Sequence, residues 1–123
     1  MEIQYTKDYI KNVYGFYGYG MWVIEDKVSG QVIGRAGIEY KDDRDGVELG
    51  FLVAKPFWRR GIATEVVEAI LGYARKVLDI FHIYAMVEEE NVKSIAFCEK
   101  MRFSHTEYKN MNHKKYRIYE IDI

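Results

Sequence analysis

The chain has 123 residues, a formal net charge of −1, one proline and one cysteine. That length suits one domain with one core, and a lone cysteine excludes an internal disulfide framework and favours a cytoplasmic setting. The near-neutral charge argues against a dedicated nucleic-acid binder, and no apolar run approaches the roughly 18–20 residues of a membrane span. Residues 1–5 lack the basic and apolar stretches of a signal peptide. Eleven tyrosines, six phenylalanines and two tryptophans fit a β-rich core with rings at its edges.

In chain order, residues 5–13 read as a short helix with Asp8, Lys11 and Asn12 on its wet side. Gly15, Gly18 and Gly20 interrupt an aromatic stretch in an order wrong for a dinucleotide fingerprint, so a turn between packed rings is expected. Residues 21–25 read as a strand, 27–30 as a hairpin turn and 31–40 as a second strand. On that second strand Val32, Ala36, Ile38 and Tyr40 are expected on one face, and Ile33, Arg35 and Glu39 on the other. Residues 41–46 form a charged turn, and a third strand at 47–54 alternates Val47, Leu49, Phe51 and Val53 against Glu48, Gly50 and Leu52. This is an antiparallel meander.

The period then changes. Ile62, Val66, Val67, Ile70, Leu71, Ala74, Val77 and Leu78 form a stripe at 3.6-residue spacing over 62–78. A buried strand at 82–87 follows, and strand–helix–strand passages of this kind make right-handed parallel crossovers. A second helix fits 91–102, with Asn91 as its N-cap and Ile95, Phe97 or Cys98, and Met101 buried. Residues 103–109 and 115–123 read as a hairpin around 110–113. The fold class is α+β with a mixed, mostly antiparallel sheet.

The chemically informative stretch runs from Glu48 to Glu65: a strand, a proline-bearing loop, Arg59, Arg60 and Gly61, then directly a helix. Backbone N–H groups at a helix start suit an anionic group, Gly61 lets a phosphate approach, and paired arginines grip phosphate oxygens. A helix start with two solvated arginines accounts for the same residues equally well.

Trp58-Arg-Arg-Gly-Ile-Ala-Thr-Glu65 resembles the acyl-CoA-binding loop of the GNAT N-acetyltransferases, Gln/Arg-x-x-Gly-x-Gly/Ala. Its leading tryptophan is similar to the branch containing ribosomal-protein N-terminal acetyltransferases. Asn91-Val-Lys-Ser94 and Glu99-Lys-Met-Arg-Phe103 resemble a second family motif, and residues 20–25 and 33–38 its central strands. The resemblance spans about residues 19–103, in the family's order.

Its implications are these. Acetyl-CoA lies in a V-shaped opening between the third strand and the strand after the helix. Its pyrophosphate sits on the loop of Arg59, Arg60, Gly61, Ile62, Ala63 and Thr64, and its pantetheine pairs with backbone at Phe51, Leu52 and Val53. An N–H near Leu52 or Val53 polarises the thioester carbonyl. A neutral primary amine, of a small molecule or a protein N-terminus, attacks directly. Alkylammonium groups have a pKa of about 10, so a base must take a proton. Glu48 is the preferred base and Glu39 the reserve; a surface strand glutamate or a salt-bridge partner accounts for Glu48 equally well. Asn91 hydrogen-bonds pantetheine and Ser94 faces the departing sulfur; both also serve as an ordinary cap and first-turn serine.

Several positions depart from the family pattern. Cys98 stands where many members place a tyrosine acid, and is more simply a core residue. Arg102 replaces a glycine before Phe103, and Arg59 one in the phosphate loop. Fewer than about 20 residues precede the strand containing Trp22, so most of the family's N-terminal strand and helices are expected to be missing from a single shortened domain over 1–123. His82, His105 and His113 lack metal-ligand spacing, so no metal is expected. Two other uses remain open: a CoA-binding or regulatory module without catalysis, and a dimerisation domain whose aromatic N-terminal segment packs on a second copy. A homodimer is compatible with each.

Overall fold

The computed structural model describes residues 2–4, 10–14, 20–26, 29–53 and 61–123, with side chains described at 24, 29–50 and 61–123. Strands β1 (Glu2–Gln4), β2 (Ile10–Tyr14), β3 (Gly20–Asp26), β4 (Val32–Lys41) and β5 (Gly46–Val53) come first. Helix α1 (Ile62–Lys76), β6 (His82–Glu88), α2 (Val92–Lys100), β7 (Ser104–Met111) and β8 (Lys114–Asp122) complete the order. One sheet holds the strands in the order β1-β2-β3-β4-β5-β6-β8-β7. Among the described residues only β5 and β6 pair in parallel, joined through α1.

The helix expected over 5–13 is corrected in its second half. Ile10–Tyr14 is a strand pairing antiparallel with β3, Ile10 opposite Asp26 and Val13 opposite Ile24. Ile10 and Val13 fit a helical stripe and a strand alike, and cross-strand pairing decides between them. The rest of that segment, the Gly15 and Gly18 turn, and Lys27 and Val28 lie outside the described residues.

A second correction concerns β4. Val32 is 59% exposed, whereas Ile33 is 1% exposed and joins Ala36 and Ile38 in the core. The cause is an irregularity in the ladder, where Ile24 faces Gly34 but Glu25 faces Val32. One extra residue on β4 reverses the in–out alternation at that point. Val77, expected in the α1 stripe, is 59% exposed because the helix ends at Lys76.

Register sorts the sheet into two faces. Ile38 faces Leu49, Glu48 faces Tyr84 and Ala85 faces Tyr119, so Ile38, Leu49, Ile83, Ala85 and Tyr119 share one face. These pack in one core with Ile62, Val66, Val67, Ile70 and Ala74 of α1 and Cys98 of α2. Glu39, Glu48, Tyr84 and Glu120 share the other face. The β7–β8 loop is Asn112–His113, closed by Met111 opposite Lys114, with φ of 52° and 64°. Two left-handed central residues are what a type I′ hairpin requires.

Candidate active site

The two parallel strands part company almost at once. Glu48 and Tyr84 are the one residue pair between β5 and β6 among the described residues. Beyond it β5 continues to Val53 and β6 to Glu88. Backbone at Phe51, Leu52 and Val53 is paired to Ala36, Arg35 and Gly34 of β4, and has no ladder partner toward β6 among the described residues. An extended molecule laid in this opening meets backbone donors and acceptors spaced as in a sheet.

The loop expected to hold phosphate leads into α1. Gly61 is the N-cap residue, left-handed at φ 75°, and no side chain caps the helix. A Cβ at Gly61 would meet nothing within 4 Å, so the backbone there faces open space. The first-turn N–H groups of Ile62, Ala63 and Thr64 have no intrahelical acceptor. Ile62 is buried, so it offers an approaching group only its N–H, while Ala63 and Thr64 are half-buried. The geometry fits an anion held by backbone amides. Arg59 and Arg60 lie outside the described residues.

Glu48 lies at the closed end of the opening, half-buried, with Glu39 opposite on β4 and Tyr84 opposite on β6. Lys41 Nζ bridges the two carboxylates, 3.4 Å from Glu39 and 3.9 Å from Glu48. Burial pushes the Glu48 carboxyl above its ordinary range, Lys41 opposes this, and the charges of Glu39 and Asp43 add to it. The Glu48 side chain is 26% exposed against 72% for Glu39, so Glu48 is the partly desolvated carboxylate of the two and Glu39 the surface acid. Leu52 lies four residues along β5 from Glu48, about 13 Å of backbone. A group at Leu52 is therefore too far from Glu48 for direct contact.

Asn91 and Ser94 come together at the open end, beyond Glu88. Asn91 Oδ1 accepts from the Ser94 N–H at 3.1 Å, capping α2 as the sequence reading expects. Its Nδ2 has no partner among the described residues and remains available to a ligand carbonyl. Cys98 is buried, and its thiol is pushed up to about 11 by burial and then by Glu99. It sits among core residues, away from any role as an exposed acid.

Sequence reasoning missed two groups beside these. Tyr84, buried next to Glu48, has its phenol pushed up to about 12 by burial, reinforced by the Glu48 charge, so it stays protonated. No local signal pairs residues 48 and 84; their register appears only once β5 and β6 align. Arg117 and Tyr119 are the second group. Arg117 Nε and Nη2 donate to both carboxylate oxygens of Glu89, at 2.6 and 3.1 Å, and Nη1 donates to the Tyr119 hydroxyl at 3.3 Å. Tyr119 in turn donates to Glu99 at 3.0 Å.

Comparison with known proteins bears on the family and the fold. The family model described as "Acetyltransferase (GNAT) domain" matches residues 2–104. Among curated relatives, YkkB of Bacillus subtilis is 27% identical over 106 residues, covering 85% of this chain and 62% of YkkB. Among solved structures, a GNAT-family acetyltransferase from Bordetella pertussis superposes with TM-score 0.74 at 22% identity, covering 85% of this chain and 66% of that one. The spermidine/spermine N-acetyltransferase SpeG of Vibrio cholerae gives TM-score 0.71 at 20% identity, covering 86% and 68%. At these identities the structural matches speak for the fold. The chain spans less than two thirds of the curated relatives it matches.

Proposed function

Because the chain belongs to the GNAT acetyltransferase family, we propose that it binds acetyl-CoA between β5 and β6 and transfers the acetyl group to a primary amine. The observation that carries this reading is the divergence of the two parallel strands beyond Glu48 and Tyr84, beside a helix that starts on left-handed Gly61. When bound, acetyl-CoA supplies a thioester whose thiolate leaves readily. Amides of Ile62, Ala63 and Thr64 hold the pyrophosphate, with Arg59 and Arg60 adding charge. Backbone at Phe51, Leu52 and Val53 pairs with pantetheine. An N–H at Leu52 or Val53 stabilises charge that develops on the thioester oxygen. Glu48 accepts the amine's proton through water, with Tyr84 protonated beside it. Asn91 Nδ2 holds a pantetheine carbonyl, and Ser94 faces the sulfur.

The acceptor class is argued separately. The Trp58-Arg-Arg-Gly61 resemblance supports a protein N-terminus, as in the ribosomal-protein branch. The carboxylates of Glu39, Asp43 and Glu48 favour a cationic amine, the class acted on by SpeG. Calorimetry with acetyl-CoA tests the cofactor, and thiol release across peptide N-termini, spermidine and simple amines sorts the acceptor. Binding with turnover on one class is expected; absence of binding at millimolar acetyl-CoA overturns the reading.

Cys98 favours a second reading. Its burial leaves the family's acid position without an accessible group, which suits a CoA-binding module that does not turn over. Tight binding with no thiol release on any amine distinguishes it.

A further inference from the structure

We propose that Arg117 and Tyr119 are positioning residues for Asn91 and Ser94, a clamp on β8 that grips α2 at both ends and aims its first turn into the opening. The inference rests on the reading above, in which that turn meets acetyl-CoA.

Helix α2 has nine residues; Cys98 is buried, and Ile95 and Phe97 pack partly buried against the core. Apolar contact from three side chains sets the helix on the core without fixing the angle of its first turn, and directional bonds supply that. They come from two residues two apart on one strand, hence on one face. At the near end, Arg117 holds Glu89 with a two-pronged contact that fixes the carboxylate plane as well as its distance. The Glu89 N–H donates to the Lys115 carbonyl at 2.9 Å, so backbone and side chain of Glu89 are both tied to β8. One residue, Glu90, separates Glu89 from Asn91, and a displacement of Glu89 is passed on with little slack. At the far end, the Tyr119 hydroxyl accepts from Arg117 and donates to Glu99 in the last turn of α2. Tyr119 is fully buried and faces Ala85, whose small side chain leaves the ring its place.

The arrangement is more than generic support, because its two ends bracket the pair expected to touch the ligand. Lys in place of Arg117 keeps the charge and loses the fork. Phe in place of Tyr119 keeps the ring and loses the link to Glu99.

The test combines acetyl-CoA calorimetry with amide hydrogen exchange on the unliganded chain, for wild type, R117M, R117K, Y119F, N91A and N91A/R117M. All are measured well below the lowest melting temperature of the set. R117M is expected to weaken acetyl-CoA binding at least fivefold, with R117K intermediate. In the R117M background, N91A is expected to cost far less than in wild type, because Arg117 acts through Asn91. The Ser94 amide is expected to exchange at least tenfold faster in R117M, while Val67 and Ile70 of α1 keep their wild-type rates. Additive effects of R117M and N91A, or an unchanged Ser94 amide, overturn the proposal. If R117M fails to fold, Y119F and E89Q carry the same comparisons with smaller shifts. A wild-type chain that does not bind acetyl-CoA overturns the functional reading, and the exchange rates still decide whether the clamp holds the first turn.

Discussion

Arg102 ends α2 in a left-handed conformation, φ 69°, that a side chain resists. The bonds that demand it are Arg102 N–H to Glu99 at 3.1 Å and Phe103 N–H to Cys98 at 2.9 Å, a Schellman ending with Phe103 and Cys98 both buried. Arg102→Gly is expected to stabilise the chain by about 0.5–1 kcal/mol, read as a higher denaturation midpoint at unchanged slope. His82 sits between two acids, Nδ1 2.7 Å from Asp122 and Nε2 2.8 Å from Glu120, and these bonds raise its pKa. The folded value exceeds the unfolded one, so this contribution is complete below about pH 6.5 and is lost as pH rises through the raised value. Melting curves from pH 6 to 9 are expected to fall more steeply for wild type than for His82→Gln. Glu48 carries the opposite kind of cost. Its ionisation is disfavoured in the fold, so stability is lost as pH rises from the ordinary carboxylate value through the raised one. Glu48→Gln is therefore expected to melt higher at neutral pH while losing about 100-fold or more in kcat/KM, with the acid limb of the pH profile gone. A variant that keeps its activity removes Glu48 from the mechanism, and one that melts lower removes the cost of burying its charge.

Elements whose identity rests on local chemistry were legible in the sequence. The α1 stripe reads directly because Ile62, Val66, Val67, Ile70 and Ala74 all face one core. Asn91 announces α2 by the bond it makes three residues on. The open helix start at Gly61 was legible for the same reason: glycine is what φ 75° asks for. Gly61→Ala is expected to cost about 1 kcal/mol through that dihedral angle, since its Cβ meets no atom, and to weaken acetyl-CoA binding as well. A loss of stability with unchanged binding would show that the loop does not carry the pyrophosphate. What escaped depends on residues far apart in the chain. Ile10–Tyr14 becomes a strand only by pairing with β3, and Ile33 enters the core only through the ladder irregularity at Ile24 and Glu25. Glu48 was legible as an acid on the third of the meander strands, but its neighbour Tyr84 follows from the single register of β5 on β6.

Across the whole molecule, the β4–β5 turn reaches over the polar face and ties the sheet's middle to its far edge. Arg44 bonds Glu107 of β7 at 2.8 Å, lies 3.8 Å from Glu120 of β8, and stacks 5.0 Å over the Tyr84 ring; Asp43 pairs with Lys109 at 3.6 Å. These contacts span three strands without backbone bonds, so Arg44→Ala is expected to speed amide exchange along β7 more than along β4. Unchanged exchange along β7 in Arg44→Ala would show that the turn lies on the sheet without restraining it. The strand order has a consequence of a different kind. β8 lies between β6 and β7, both of which precede it in the sequence, and it brings two fully buried residues, Ile118 and Tyr119. A ribosome making this chain delivers β6, α2 and β7 while the slot between the two strands is still empty. Until residues 114–122 emerge, two inner strand edges stay open to pairing with other chains. Nascent chains arrested before Lys114 are expected to be cut readily by protease across 82–111, and those arrested well past Asp122 to resist. The closing strand is synthesised after both of the strands it joins.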